Sequence, residues 1–186
     1  MAKIIICLYL LSKGIKNLSI FYVHQGQTYN EERAGGYVWA PQLNKGGWKN
    51  AGYTTMTYIR KGDYILHSVK GKIMAISIAE SDCYEANQPK ELVAADTTVD
   101  WNDEGYRVDV YYYDFDTPVN ITEHSEWLSE HRVDESAFDA NGRGRRQYMC
   151  NLAREHAAFI LEIAIKKQTD TRVISILEDA LKTIGD

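Results

Sequence analysis

Cysteine is scarce in this chain: three residues among 186, Cys7, Cys83 and Cys150, all far apart. There is no Cys-x-x-Cys pair and no cysteine–histidine ligand spacing, so a zinc site is not expected. An odd count without an export signal fits a reducing cytoplasm. Proline is equally rare, and two of its positions read as stops: Pro41 biases Ala40 away from helix, and Pro118 ends an extended run. Excess positive charge is missing too. A formal net charge of −5 argues against a protein that coats nucleic acid non-specifically, because such binding rests on neutralising phosphates; a local basic face is still permitted. Long apolar runs are absent. Ile4 to Leu11, behind Lys3, imitates a signal peptide, but the run is short, no small-x-small cleavage site follows, and it falls far short of a membrane span. An extra strand, or a start placed too far upstream, is the expected explanation, with the protein cytoplasmic and off the membrane.

The usual catalytic signatures are also missing. No Gly-x-Ser-x-Gly elbow is present. His67 stands beside Ser68, but neighbours on a strand point to opposite faces and cannot act as a nucleophile–base pair. The five histidines are scattered, without an HExxH or EF-hand register. His124 and His131 lie among Glu123, Glu126 and Glu130 and read as part of a solvated charged face. Gly142-x-Gly144 lacks the strand–loop–helix setting and the lysine of a phosphate loop. The expectation is therefore no catalytic residue, no metal and no cofactor.

What the chain does hold is tyrosine, thirteen residues, suited to β-structure and to surfaces that stack on flat ligands. Asp63 to Val69 alternates, Lys72 to Ala79 is almost continuously apolar, and Lys70-Gly71 between them makes a tight turn: a hairpin. Ile20 to His24, Tyr37 to Ala40 and Gly105 to Phe115 read as further strands. Gln25 to Gly36 reads as a polar loop, and the threonines of Tyr53 to Ile59 favour a strand there. A short helix is expected at Lys90–Ala95 and another around Trp127, capped by Asn120 or Thr122. Two amphipathic helices close the chain, the first capped by Asn151; the second, with its regular apolar face, either packs on the sheet or meets another chain. Trp39 and Trp48 sit in Gly-rich surroundings near the hairpin. With Tyr29 they form a candidate aromatic slot for a planar base, a contact worth about 1–3 kcal/mol per base. Arg143, Arg145 and Arg146, on one turn before Tyr148, read equally as a plain turn or as a clamp on backbone phosphates.

FYVHQG, GGYVWAP, RKGDYILHSVKGKIMAISIA, EGYRVDV and a late NGRG turn together resemble EVE domains, of the PUA-like group that also includes YTH and SRA-type readers. The likeness is to the EVE-type module at the front of some bacterial modification-dependent HNH endonucleases. It covers residues 20–150, leaving 1–19 as an N-terminal extension and 151–186 as a helical appendage. The resemblance implies an α+β fold: a small mixed β-barrel with flanking helices. It implies a non-enzymatic reader that flips a modified base, a 5-substituted cytosine in DNA, into a pocket and serves a restriction or defence system. Trp39, Trp48 and Tyr29 would be cage or rim aromatics. Gln25, Gly26, His67, Ser68 and Val69 would supply edge contacts or wall. Lys49, Lys70, Arg143, Arg145 and Arg146 would meet phosphates. No His–Asn–His nuclease motif is present, so any cleavage would come from a missing domain or from a partner engaged by the C-terminal helices. The alternatives are an RNA-binding module of the same fold, a small-molecule or protein-interaction domain in which both tryptophans are structural, and an enzyme acting on a nucleotide with His67 as base.

Overall fold

Parallel pairing of two strands that the chain keeps far apart sets the architecture. The computed structural model describes residues 18–94 and 103–185; the expected N-terminal strand, Cys7 and the end of the Lys90–Ala95 helix lie outside them. Strand β1 (Ile20–His24) runs alongside β3 (Tyr64–Val69) in parallel, with His24 opposite Ser68. Such a pair needs a long crossover. Here it carries helix α1 (Tyr29–Gly35), strand β2 (Tyr37–Pro41) and a short helix α2 (Ala51–Thr54) continued by a 3-10 turn, Thr55–Tyr58.

The expected hairpin is present. β3 turns at Lys70-Gly71, both at positive φ, into β4 (Lys72–Ala79). After β5 (Tyr84–Asn87) and α3 (Lys90–Ala94) comes β6 (Glu104–Asn120), whose first half pairs with β2 and β5 and whose second half pairs with β4. The order is β2-β6-β4-β3-β1-β7, with β5 also on β6, and β7 is Met149–Asn151. Between its β4 partners Asp114 and Val119, β6 leaves four residues unpaired. That break curls the sheet into a half-barrel, and it explains why Pro118 sits inside a strand rather than ending one: the missing N–H falls where the ladder is interrupted.

Several expectations give way to local chemistry. Gln25–Gly36 is not all loop, because Glu31 and Glu32 occupy the first turn of α1 and Gly36 closes it at φ 68. Tyr53–Ile59 is helical: Asn50 accepts from the Gly52 N–H, and Thr55 and Thr57 bond back to Ala51 and Thr54 carbonyls. Asn151 belongs to β7 and caps nothing. Asn120 leads into a 3-10 turn, Ile121–His124, without a side-chain cap, before α4 (Ser125–Glu130).

The sheet buries both faces. One packs Ile20, Tyr22, Tyr64, Leu66 and Ile76 against α5 (Arg154–Lys167) and α6 (Thr171–Gly185), which contribute Ala157, Ile160, Leu161, Val173, Leu177 and Ala180 to the same core. The stripe of α6 is thus spent on the sheet. The other face gathers Phe21, Val23, Val38, Met56, Ile59, Ile65, Val108 and Val110. No helix among the described residues is long and apolar enough to cross a membrane.

Candidate functional site

Alternation along β1 and β3 sends their side chains to the two cores in turn. Tyr22, His24 and Ser68 go to the helix-covered face; Gln25 and His67 go to the other. At the C-terminal ends of these strands both faces become polar, and the two differ in how they satisfy that polarity.

On the second face Gln25 is the hub. Its Nε2–H donates to Glu32 Oε2 and to Tyr112 Oη (3.2 Å), while its Oε1 lies 2.6 Å from His67 Nδ1. Because that oxygen only accepts, the proton sits on Nδ1. Nε2 then accepts from Ser77 Oγ–H at 2.7 Å. Burial holds this imidazole neutral, its pKa lowered to about 3. Glu32 is fully enclosed and faces no cation; it accepts from Gln25, Thr28, Tyr148 Oη–H (2.6 Å) and the Trp39 N–H (3.1 Å). Burial pushes its carboxyl up to about 7, against the pull of those hydrogen bonds. Tyr112 Oη–H in turn donates to the Tyr37 carbonyl at 3.1 Å.

On the first face the opposite holds. Tyr22 Oη, His24 Nε2 and Ser68 Oγ are all buried, and none has a hydrogen-bond partner. Tyr22 and Ser68 are near neighbours, but their hydroxyls do not meet in hydrogen-bond geometry; burial raises the phenol well above its ordinary value and Ser68 offsets only part of the rise. His24 leans on Tyr22, ring centroids 4.8 Å apart, and burial lowers its pKa to about 4. Tyr22, His24 and Ser68 line one cavity of about 480 Å³, within the range of ligand pockets, with these three atoms set into its wall. The other unpartnered buried polar atoms among the described residues, on Glu31, Tyr37 and His124, do not line it. A native fold leaves few such groups, and here three of them belong to residues of one cavity wall.

The cavity wall is completed by Ile121, Thr122, Ser125 and the turn Gly142–Gly144. Glycine is required there. Gly142 has φ 68, and a Cβ on it would meet the Ser125 carbonyl oxygen at 1.9 Å; one on Gly144 would meet His24 Cε1 at 2.6 Å. Asp139 ties the turn by accepting from the Asn141 and Arg143 N–H groups.

Arg143 and Gly144 are shared with an adjoining groove of about 640 Å³ that also holds Asn50, Arg145 and Arg146. Arg145 Nε–H donates to the Phe138 carbonyl, while Arg143 and Arg146 are exposed. Two residues from Asn50, Trp48 stands 74% exposed on a turn ordered by Asn44, whose Oδ1 accepts from the Gly46 and Trp48 N–H groups. Lys49 follows it and is exposed. A larger groove of about 900 Å³ lies between β6 and the start of α6, where Asp114 pairs with Arg33 and Asp170 with Arg172.

The expected slot between two tryptophans does not exist. Trp39 has no exposed surface; its Nε1–H donates to the Ala86 carbonyl at 3.0 Å, and its ring covers Gly105, where any Cβ would clash. It is core because β2 pairs with β6 on that side. Gln25 and His67 are committed to the internal network rather than open to a ligand, so His67 also has no free nitrogen for the role of a nucleotide enzyme's base. Tyr29 packs edge-on against Tyr112. Val69 is half-buried, Gly26 is exposed on the loop before α1, and Lys70 is exposed beside Gly71 at the cavity wall. Of the sequence-predicted residues, Ser68 and Arg143 line the cavity, and Arg145 and Arg146 edge its neighbour. His124 packs on Phe159 and His131 stacks on Trp127, placing those histidines against a hydrophobic core rather than only in solvent. Tyr22 and His24 are the residues that sequence reasoning missed; their signal was two polar tips on the same face of an otherwise apolar strand.

No family model and no curated protein matches the sequence. Solved structures do share the fold. A Pseudomonas putida protein matches with TM-score 0.53 at 12% identity, covering 78% of this chain and 99% of its own. The Pho92 YTH domain, solved in complex with m6A, matches with TM-score 0.51 at 10% identity over 83% of this chain and 89% of its own. The YTH domain of Zygosaccharomyces rouxii MRB1, solved with N6-methyladenosine RNA, gives 0.50 at 10% identity, over 83% and 92%. The curled mixed sheet with its flanking helices is a fold that this chain shares with these YTH domains.

Proposed function

We propose that this chain is a reader of modified nucleic acid, which takes one base out of its helix and holds it in the cavity formed by Tyr22, His24 and Ser68. The observation that carries the reading is that three residues with buried, unpartnered polar atoms, Tyr22, His24 and Ser68, line one cavity of about 480 Å³. The hydrogen-bonding edge of a base answers those atoms, and flipping costs only a few kcal/mol, which edge bonds and burial offset. Ile121 and the Thr122 side chain stand ready for an apolar substituent. Arg143 and Arg146, with Lys49 next to Asn50 and Lys70 next to Gly71, suit the phosphates on either side. Trp48, outside the cavity, suits stacking on a neighbouring base.

The sequence resemblance to EVE modules favours a 5-substituted cytosine in DNA, with a nuclease supplied by another domain or chain. The fold shared with two YTH domains solved with N6-methyladenosine favours RNA as the second reading. Anisotropy titrations separate them. Matched DNA duplexes with cytosine, 5-methylcytosine or 5-hydroxymethylcytosine are compared with RNA strands carrying adenosine or N6-methyladenosine. The leading reading expects tightest binding to a modified duplex. Equal, weak binding to every probe rejects both readings, and preference for the methylated RNA selects the second.

A further inference from the structure

The polar network behind the pocket has a purpose that packing alone does not require. His24 is followed by Gln25, and Ser68 is preceded by His67. Thus each orphaned side chain has as its chain neighbour a residue that reaches through to the opposite face. Those two neighbours bond to each other at 2.6 Å, and the Gln25 N–H donates to the Ser68 carbonyl at 2.9 Å. The sheet ladder changes at this point. The β3–β4 register slips opposite His67 and Ser68, where Met74 of β4 is left without a partner on β3, and β1 ends at His24. A bulge leaves its residues less constrained by backbone pairing and re-aims the side chains around it. Side chains add to the constraint that the backbone bonds supply. Through Gln25 and His67 the strand ends are tied to Ser77 on β4, Tyr112 on β6 and Glu32 on α1.

We propose that Gln25 and His67 are positioning residues: without touching the ligand, their bond fixes the ends of β1 and β3 and so sets where His24 and Ser68 stand in the cavity. This rests on the reading of that cavity as the base pocket. It also gives the network a role that an apolar core of equal volume would not fill, because directional bonds hold a backbone position and apolar packing holds mainly a volume.

The test uses the full chain and two DNA duplexes, one with a single 5-methylcytosine and one unmodified, with melting followed in parallel. Gln25→Ala is expected to weaken binding of the modified duplex about tenfold while leaving the weak binding of the unmodified one unchanged. Ser77→Ala, which removes only the far anchor of His67, is expected to lose about threefold, and Ser77→Thr, which keeps the hydroxyl, to restore it. A folded Gln25→Ala protein that binds as the wild type does overturns the proposal. If Gln25→Ala does not fold, the serine pair decides: wild-type affinity in Ser77→Ala, or no recovery in Ser77→Thr, overturns it. His24→Ala separates the two claims. Binding untouched by His24→Ala removes the pocket reading and the positioning role with it. Binding lost in His24→Ala but kept in Gln25→Ala refutes the positioning role alone.

Discussion

The two faces of β1 and β3 treat buried polar groups in opposite ways. Behind the strands, Gln25, Glu32, His67 and Ser77 satisfy one another. In front, Tyr22, His24 and Ser68 are as well buried or nearly so, yet unpaired. A paired group is expensive to remove and inexpensive to keep, and an unpaired one is the reverse. The face behind the strands therefore reads as structure and the face in front as a place held open for something else. Burial alone does not distinguish them; hydrogen-bond accounting does.

The sharpest way to break this contrast is to delete a polar group from each side. His67→Leu strands Gln25 Oε1 and Ser77 Oγ and should cost about 2–6 kcal/mol in denaturant unfolding, on the order of 1–3 for each orphan. Loss of less than about 1 kcal/mol would mean that the network is not structural.

Next in size is the pH dependence that Glu32 creates. Its folded pKa of about 7 stands above the ordinary 4.5, so its contribution to stability is full below about pH 4.5 and is lost as pH rises through about 7. The span is on the order of 3 kcal/mol. The buried imidazoles act with the opposite sign: their contribution is full above 6.5 and is lost as pH falls toward about 4 for His24 and about 3 for His67. Measuring Glu32→Gln against the wild type at each pH cancels the histidines. The wild type's standing relative to the variant should decline from pH 4.5 to 7, and a flat difference would contradict the assignment.

On the open face the sign reverses. Tyr22→Phe removes a hydroxyl that bonds to nothing, so stability should hold or rise by up to about 1 kcal/mol, while affinity for the modified base falls about tenfold. A large stability loss would show that Tyr22 is paired after all.

The smallest stability effect belongs to Trp48→Ala, within about 0.5 kcal/mol in thermal melts, because the indole stands in solvent. Binding should nonetheless weaken by about 1–3 kcal/mol if it stacks on a base. Trp39→Ala is the counterpart: a core cavity costing about 3–5 kcal/mol.

Much of the sheet was legible in the sequence. The hairpin Asp63–Ala79 follows from alternation and a turn that only positive φ can make, and the strands at Ile20 and Gly105 follow from period two. The helix at Tyr29 was hidden because its seven residues are mostly polar and its one buried side chain is a glutamate. β7, three residues long, is a strand only because β1 lies beside it. The arginine rim was legible as chemistry, since Arg143, Arg145 and Arg146 crowd one turn. The pocket was not, because it depends on β1 lying parallel to β3, and no local pattern specifies a pairing across forty residues of chain. Trp39 misled for a related reason: its glycine-rich flanks suggested a loop rim, when Gly105 of a distant strand is the surface that its ring covers.

The most direct measurement follows the imidazole nitrogens of His24 and His67 by NMR as the duplex bearing 5-methylcytosine is added. The two rings sit one residue apart in register on neighbouring strands, facing opposite ways, and each serves as the other's control. The expected result is a saturable shift of the His24 Nε2 signal, with far smaller movement at His67. Tight binding of the duplex with His24 unmoved would contradict the claim that the unpaired face holds the base.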